Sequence, residues 1–234
     1  MPACDSRHYA PAGGQLRRAP DDAQPALHAA ILSYASQPLV LRKVHDCFWR
    51  TSSGDAIFDA SVSRGAIYLV RDPRDVSVSW AHHRGATLDR IIEKMADPAV
   101  VIAGDPGRLW TQLPQPLGTW SGHISSWLDG AHMPTLVLRY EDLLADPHGC
   151  LAVAARHLGI ATDVHMIERA VETTRFDVLR AQEEAWGFRE RRPGSTAPFF
   201  RRGVAGDWRN WLSAAQEASL VYGHRAAMAR FGYL

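Results

Sequence analysis

An α/β fold, with a mainly parallel sheet flanked by helices, is what the sequence predicts. Three short β-prone apolar runs, Pro38–His45, Ala66–Val70 and Thr135–Tyr140, end in or give way to charged and turn residues. Continuous apolar runs of this length suit strands buried on both faces of a parallel sheet. Segments with apolar residues at helical spacing alternate with them, as expected where helices cover a sheet. Pro73 stands just where a helix should follow the second run, and the first helical turn does not need the N–H that proline lacks.

Residues 1–24 are rich in Pro, Gly, Ala and charge without a sustained period, and read as a poorly ordered tail ahead of one domain at 25–234. A short helix at 25–35 leads into the strand at Pro38–His45, whose early apolar residues and late charges suit a buried strand that delivers polar groups at its C-terminal end. The strand at Ala66–Val70, a turn at Arg71-Asp72 and a helix over 75–83 repeat that design. A helix at 86–97 precedes a Pro/Gly-rich surface loop at 98–118 and a helix ending near Gly130. The strand at Thr135–Tyr140 is followed by a short link, a helix at 150–160, and two helices near 163–172 and 174–185. A polar loop at 188–198 and a long amphipathic helix from Leu212 to Arg230 close the chain.

Composition limits what this domain does. The 234 residues are 46% hydrophobic and 22% charged, enough for one substantial core. A formal net charge of +1 argues against a general nucleic-acid binder, which needs a concentrated basic surface. Lys43 and Lys94 are the only lysines, so Lys43 draws notice beside a strand end. Cys4, Cys47 and Cys150 are far apart and lack CxxC spacing, which fits free thiols in a reducing compartment rather than disulfides or zinc. No stretch has the pattern of a signal peptide or the length of a membrane span, so a cytoplasmic chain is expected.

Ligands of open α/β sheets bind outside the carboxyl ends of the strands. Those ends offer Lys43 and His45, then Arg71 with Ser79 eight residues on, then Arg139 and Tyr140. Arg71 and Ser79 suit one anion near a helix N-terminus, and an ion pair of Arg71 with Asp72 or Asp75 suits the same spacing equally. Farther on, "FFRRGVAGDWRNWLS" sets Arg201 and Arg202 against Gly203. Planar bidentate donors next to a residue without a side chain let an anion approach closely, although an isolated RRG is more often a solvated basic turn.

Together, "YLVRDPRDVSVSW" and "FFRRGVAGDWRNWLS" resemble the two signatures of sulfotransferases that use 3'-phosphoadenosine 5'-phosphosulfate (PAPS), and occur in the same order. "LRKVHD", "VLRYEDLLADP" and "TTRFDVLRAQE" extend the resemblance over roughly residues 38–234, closest to the bacterial branch. It implies a P-loop-NTPase-like parallel sheet. It implies that Arg71, Ser79, Arg201, Arg202 and Gly203 hold the 3'-phosphate, that Tyr140, Thr174 and Phe176 surround the adenine, and that His45 is the general base with Lys43 beside it. The implied acceptor is a small molecule bearing a hydroxyl or amine, and the implied chemistry uses no metal. A histidine titrating near neutrality suits the base, and a fixed cation suits charge building on the transferring group.

No segment resembles the PKSGTTW-like loop that binds the 5'-phosphosulfate in this family. The expectation is an N-terminally truncated version of an active enzyme or a catalytically impaired, nucleotide-binding member. A P-loop kinase or hydrolase is disfavoured, since no GxxxxGK[ST] segment is present.

Overall fold

A computed structural model describes residues 39–103, 113–191, 195 and 197–234. The tail at 1–24, the expected helix at 25–35, the middle of the 98–118 loop and part of the 188–198 loop lie outside them. The chain forms two compact units, one made of residues up to Ala66 with Met95–Thr135, the other of Ile67–Lys94 with Leu136–Leu234.

In the second unit, β1 (Ala66–Val70) covers the expected residues and ends on buried Val70. The Asp72 carboxylate then caps α1 (Pro73–Arg84), accepting from the Arg74 N–H at 2.9 Å, and Pro73 takes the first helical position. α2 (Leu88–Ala96), whose last residues belong to the first unit, buries Ile91, Ile92 and Met95. β4 (Thr135–Arg139) passes directly into α4 (Tyr140–Ala145), and Asp146 caps α5 (Pro147–His157) through the Gly149 N–H. Asp163 caps α6 (Val164–Thr173), and α7 (Phe176–Trp186) follows. A 3-10 turn, Asp207–Asn210, precedes α8 (Ala214–Arg230), which starts on a reciprocal Ser213–Gln216 capping box. α1 packs against α8 and the 3-10 turn, and α5 against α4 and α6.

β1 and β4 are hydrogen-bonded neighbours. The Ala66 N–H donates to the Pro134 carbonyl at 2.9 Å where both strands begin, and Arg71 lies over the Tyr140 ring just past their other ends. Strands that start together and finish together run parallel, as the sequence predicts for this α/β fold.

The first unit corrects two expectations. Residues 39–49 form no regular secondary structure, so the strand expected at 38–45 is not formed over its described residues. Leu41, Arg42, Lys43 and His45 are exposed rather than sheet-buried. The backbone that follows is satisfied from α3 (Trp120–Leu128) and from the Pro116 carbonyl, which accepts from Cys47 at 2.7 Å. An apolar run becomes a strand only where a ladder partner exists, and from His45 to Phe48 the main chain is instead bonded by helix side chains and the Pro116 carbonyl. The segment at 98–118, expected as loop, contains a short antiparallel pair, β2 (Val101–Ile102) with β3 (Gln115–Pro116). Phe48, Ile57, Ile124 and Trp127 form the core of this unit. No helix among the described residues is long and apolar enough to cross a membrane.

Candidate functional site

The two arginine-bearing segments of the second unit meet at the end of β1. Arg71 Nη2 donates to the Val204 carbonyl at 2.9 Å, and the guanidinium lies 4.2 Å from the centre of the Tyr140 ring. Of the two carboxylates expected as rivals for Arg71, Asp72 is engaged elsewhere, while Asp75 pairs with it at long range and is shared with backbone donors. Asp72 is bound by the Arg74 side chain at 2.8 to 3.2 Å. Asp75 stands 3.8 Å from Arg71 Nη2, while its oxygens accept from the Gly206 N–H at 2.7 Å and the Trp208 N–H at 2.9 Å. Arg71 Nε is buried and has no hydrogen-bond partner among the described residues. An unmatched guanidinium donor costs free energy, and an external anion would satisfy it.

Arg201 and Arg202 enter the same loop. Arg201 Nη2 pairs with Asp207 Oδ2 at 2.7 Å, and Arg202 Nε lies 3.5 Å from Asp207 Oδ1. Asp207 also accepts from Asn210 and from Trp211 Nε1, both at 3.1 Å. Burial alone would raise the Asp207 pKa, but the Asn210 hydrogen bond and Arg201 outweigh it and hold the carboxyl below its ordinary value. Three guanidinium groups, Arg71, Arg201 and Arg202, thus face two carboxylates, Asp75 and Asp207, leaving the loop with an excess of positive charge and several planar donors.

Gly203 takes a left-handed backbone, φ +64°, and a Cβ there would run into the Phe176 ring. Its missing side chain makes room for Phe176, a use the sequence reading assigned to an approaching anion. Tyr140 heads α4 and Phe176 heads α7. Thr174 ends α6, its hydroxyl donating to the Ala170 carbonyl at 2.7 Å, and Ser79 is exposed on α1. The structure therefore brings Arg71, Tyr140 and the Arg201–Val204 loop together, and Phe176 against Gly203.

Residues that hold this arrangement escaped the sequence reading. Glu183, buried on α7, accepts from the Phe199 and Phe200 N–H groups at 2.6 and 2.9 Å, fixing the chain that enters Arg201. Glu141 accepts from the Asp72 N–H at 3.1 Å and from the Tyr233 hydroxyl at 2.9 Å. Arg74 reaches Glu217 at 3.0 Å and the Tyr233 carbonyl at 2.6 Å, and lies over the Trp208 ring. Asp75 was visible as the i+4 neighbour of Arg71, but nothing local marked its partners.

Lys43 and His45 belong to the first unit and are exposed. The His45 carbonyl lies 3.1 Å from His123 Nε2. The adjacent Asp46 is buried, and burial pushes its carboxyl up to about 7. Cys47 and Cys150 are free thiols.

Residues 63–232 match the family described as the sulfotransferase domain. The chain belongs to that family. Among sulfotransferase relatives, rat sulfotransferase 2A6 is 28% identical over 176 residues, covering 70% of this chain and 57% of its own length. Mouse sulfotransferase 1B1 is 26% identical over 163 residues, covering 64% and 49%. The chain thus spans about half the length of the curated relatives it matches. The fold resembles that of mouse sulfotransferase SULT7A1 complexed with PAP, at TM-score 0.52 and 21% identity over 70% of this chain and 58% of that one. It also resembles retinol dehydratase solved with retinol and PAP, at TM-score 0.51 and 24% identity over 69% and 47%.

Proposed function

We propose that the chain binds PAPS and takes part in sulfuryl transfer to a hydroxyl or amine of a small molecule. The observation that carries this reading is the junction of the two signatures: Arg71 bonded to Val204, with its Nε buried and unmatched among the described residues, beside the Arg201-Arg202 pair. A phosphate fits that donor set, since planar forks and a cationic excess suit an anion with several acceptor oxygens. Arg71, Ser79, Arg201, Arg202 and Gly203 would hold the 3'-phosphate, and Tyr140, Thr174 and Phe176 the adenine. When bound, PAPS supplies the sulfuryl group that is transferred.

In this reading His45 takes the proton of the acceptor hydroxyl, which the attack on sulfur requires, and Lys43 contributes a fixed positive charge. The solved neighbours support the ligand classes: SULT7A1 and retinol dehydratase hold PAP, and retinol dehydratase was solved with retinol and, separately, with androsterone. The spelling of the signatures supports a place in the bacterial branch, and the free thiols suit the cytoplasm.

Calorimetry with adenosine 3',5'-bisphosphate and adenosine 5'-phosphate tests the anion site. Arg71→Ala and Arg201→Ala should each weaken the bisphosphate about 10- to 100-fold, the range expected for one lost charge-assisted hydrogen bond, and the monophosphate far less. Equal losses for both ligands would remove these arginines from the 3'-phosphate. His45→Ala should abolish sulfuryl transfer while leaving bisphosphate affinity intact, and undiminished transfer would remove His45 from the chemistry.

A further inference from the structure

We propose that one face of α3 clamps the main chain around His45, with His123 and Trp127 as positioning residues for that side chain. The inference rests on the reading of His45 as the base. His123 Nε2 donates to the His45 carbonyl at 3.1 Å, and Trp127 Nε1 donates to the Asp46 carbonyl at 2.9 Å. Ser126 Oγ accepts from the Phe48 N–H at 2.9 Å and donates in turn to the His123 carbonyl at 2.7 Å. Positions 123, 126 and 127 share one helical face by their spacing. With Cys47 bonded to Pro116, each residue from His45 to Phe48 has a main-chain hydrogen bond to a partner far away in the sequence.

This segment lies in no strand or helix, so no ladder fixes its backbone. The side chains of α3 do so instead, and Trp127 itself packs against Phe48 and Phe58, with ring centroids at 5.7 and 5.0 Å. Burial lowers the His123 pKa, so the ring is neutral near pH 7, and its bond to a carbonyl requires the proton on Nε2. Proton abstraction demands that the base be held close to its working geometry, and a displacement of about 1 Å costs on the order of 10²-fold.

The test uses the full chain, labelled with 13C-histidine, and the variants His123→Leu, His123→Gln and Trp127→Phe. His123→Leu and Trp127→Phe should shift the imidazole resonance and titration midpoint of His45 and speed amide exchange at Asp46 to Phe48 about tenfold or more. His148, His157, His165 and His224 should be unmoved. Affinity for adenosine 3',5'-bisphosphate should stay within about twofold, and kcat for sulfuryl transfer from PAPS to 4-nitrophenol should fall about 10- to 100-fold. His123→Gln, which keeps an N–H donor, should recover most of each change. Folded Leu and Phe variants with wild-type His45 resonances and wild-type exchange would overturn the clamp. If His45→Ala transfers normally, the base reading fails, and the resonance and exchange measurements still decide whether α3 positions this segment.

Discussion

At Gly203 a backbone requirement and a packing requirement fall on one atom. Its φ of +64° is a conformation that residues with a Cβ rarely adopt, and the Cβ direction is filled by the Phe176 ring. Phe176 packs in turn edge-on against Phe200, with ring centroids 6.2 Å apart, which restricts where the ring can go. Gly203→Ala should therefore cost about 2–4 kcal/mol, combining left-handed strain with overpacking. Phe176→Leu in the same chain should return part of that loss, because it relieves the packing component and leaves the backbone strain. Urea denaturation of the two single variants and the double variant measures both components. An alanine variant as stable as the parent would mean that the ring has room to move and that the glycine is not required by packing.

At the level of elements, α1 and the loop after Phe200 are joined by one carboxylate. Asp75 accepts from the N–H groups of Gly206 and Trp208 while standing within 3.8 Å of Arg71, so it sets where the Arg201-Arg202 loop lies relative to the end of β1. Asp75→Asn keeps the shape but removes the charge, and places an amide donor against backbone donors. It should cost about 1.5–3 kcal/mol and weaken adenosine 3',5'-bisphosphate binding, even though the side chain at this position touches no ligand in this reading. Loss of stability with unchanged ligand affinity would show that Asp75 supports the fold but not the site. The sequence made β1 and α1 legible because their determinants are local: a β-prone run, an Arg71-Asp72 turn and a proline in the first helical turn. The role of Asp75 was not legible, since its backbone partners lie 131 and 133 residues away. Residues 39–45 are the reverse case, an apolar pattern that was clear in the sequence but forms no strand. Arg71, Arg201 and Gly203 stood out in the sequence, but the packing demand at Gly203 did not, because it comes from Phe176 on another element.

For the whole molecule, buried ionisable groups make stability depend on pH with opposing signs. Asp207 has a lowered pKa, so its contribution is present above the unfolded value near 3.8 and is lost as pH falls through the folded value. His123 and His224 are lowered by burial, and the unfolded chain takes up their protons first, so stability falls as pH drops below 6.5. Asp46 acts the other way. Its carboxyl is raised from 3.8 to about 7, so between those values the folded chain holds a proton that the unfolded chain has released. Stability therefore declines as pH rises through that window, and above about 7 the folded protein carries a buried charge. Asp46→Asn removes this cost and keeps the size of the side chain. The variant should match the parent near pH 4 and become progressively more stable relative to it up to about pH 8, by a ceiling on the order of 4 kcal/mol. Comparing the two chains cancels the contributions of the distant Asp207 and His224, so the difference in thermal midpoint between about pH 4 and pH 8 reads Asp46 together with any coupling to His123 beside it. A difference that stays flat across the range would mean that Asp46 is ionised in the folded chain throughout, and that its environment is more polar than its burial implies.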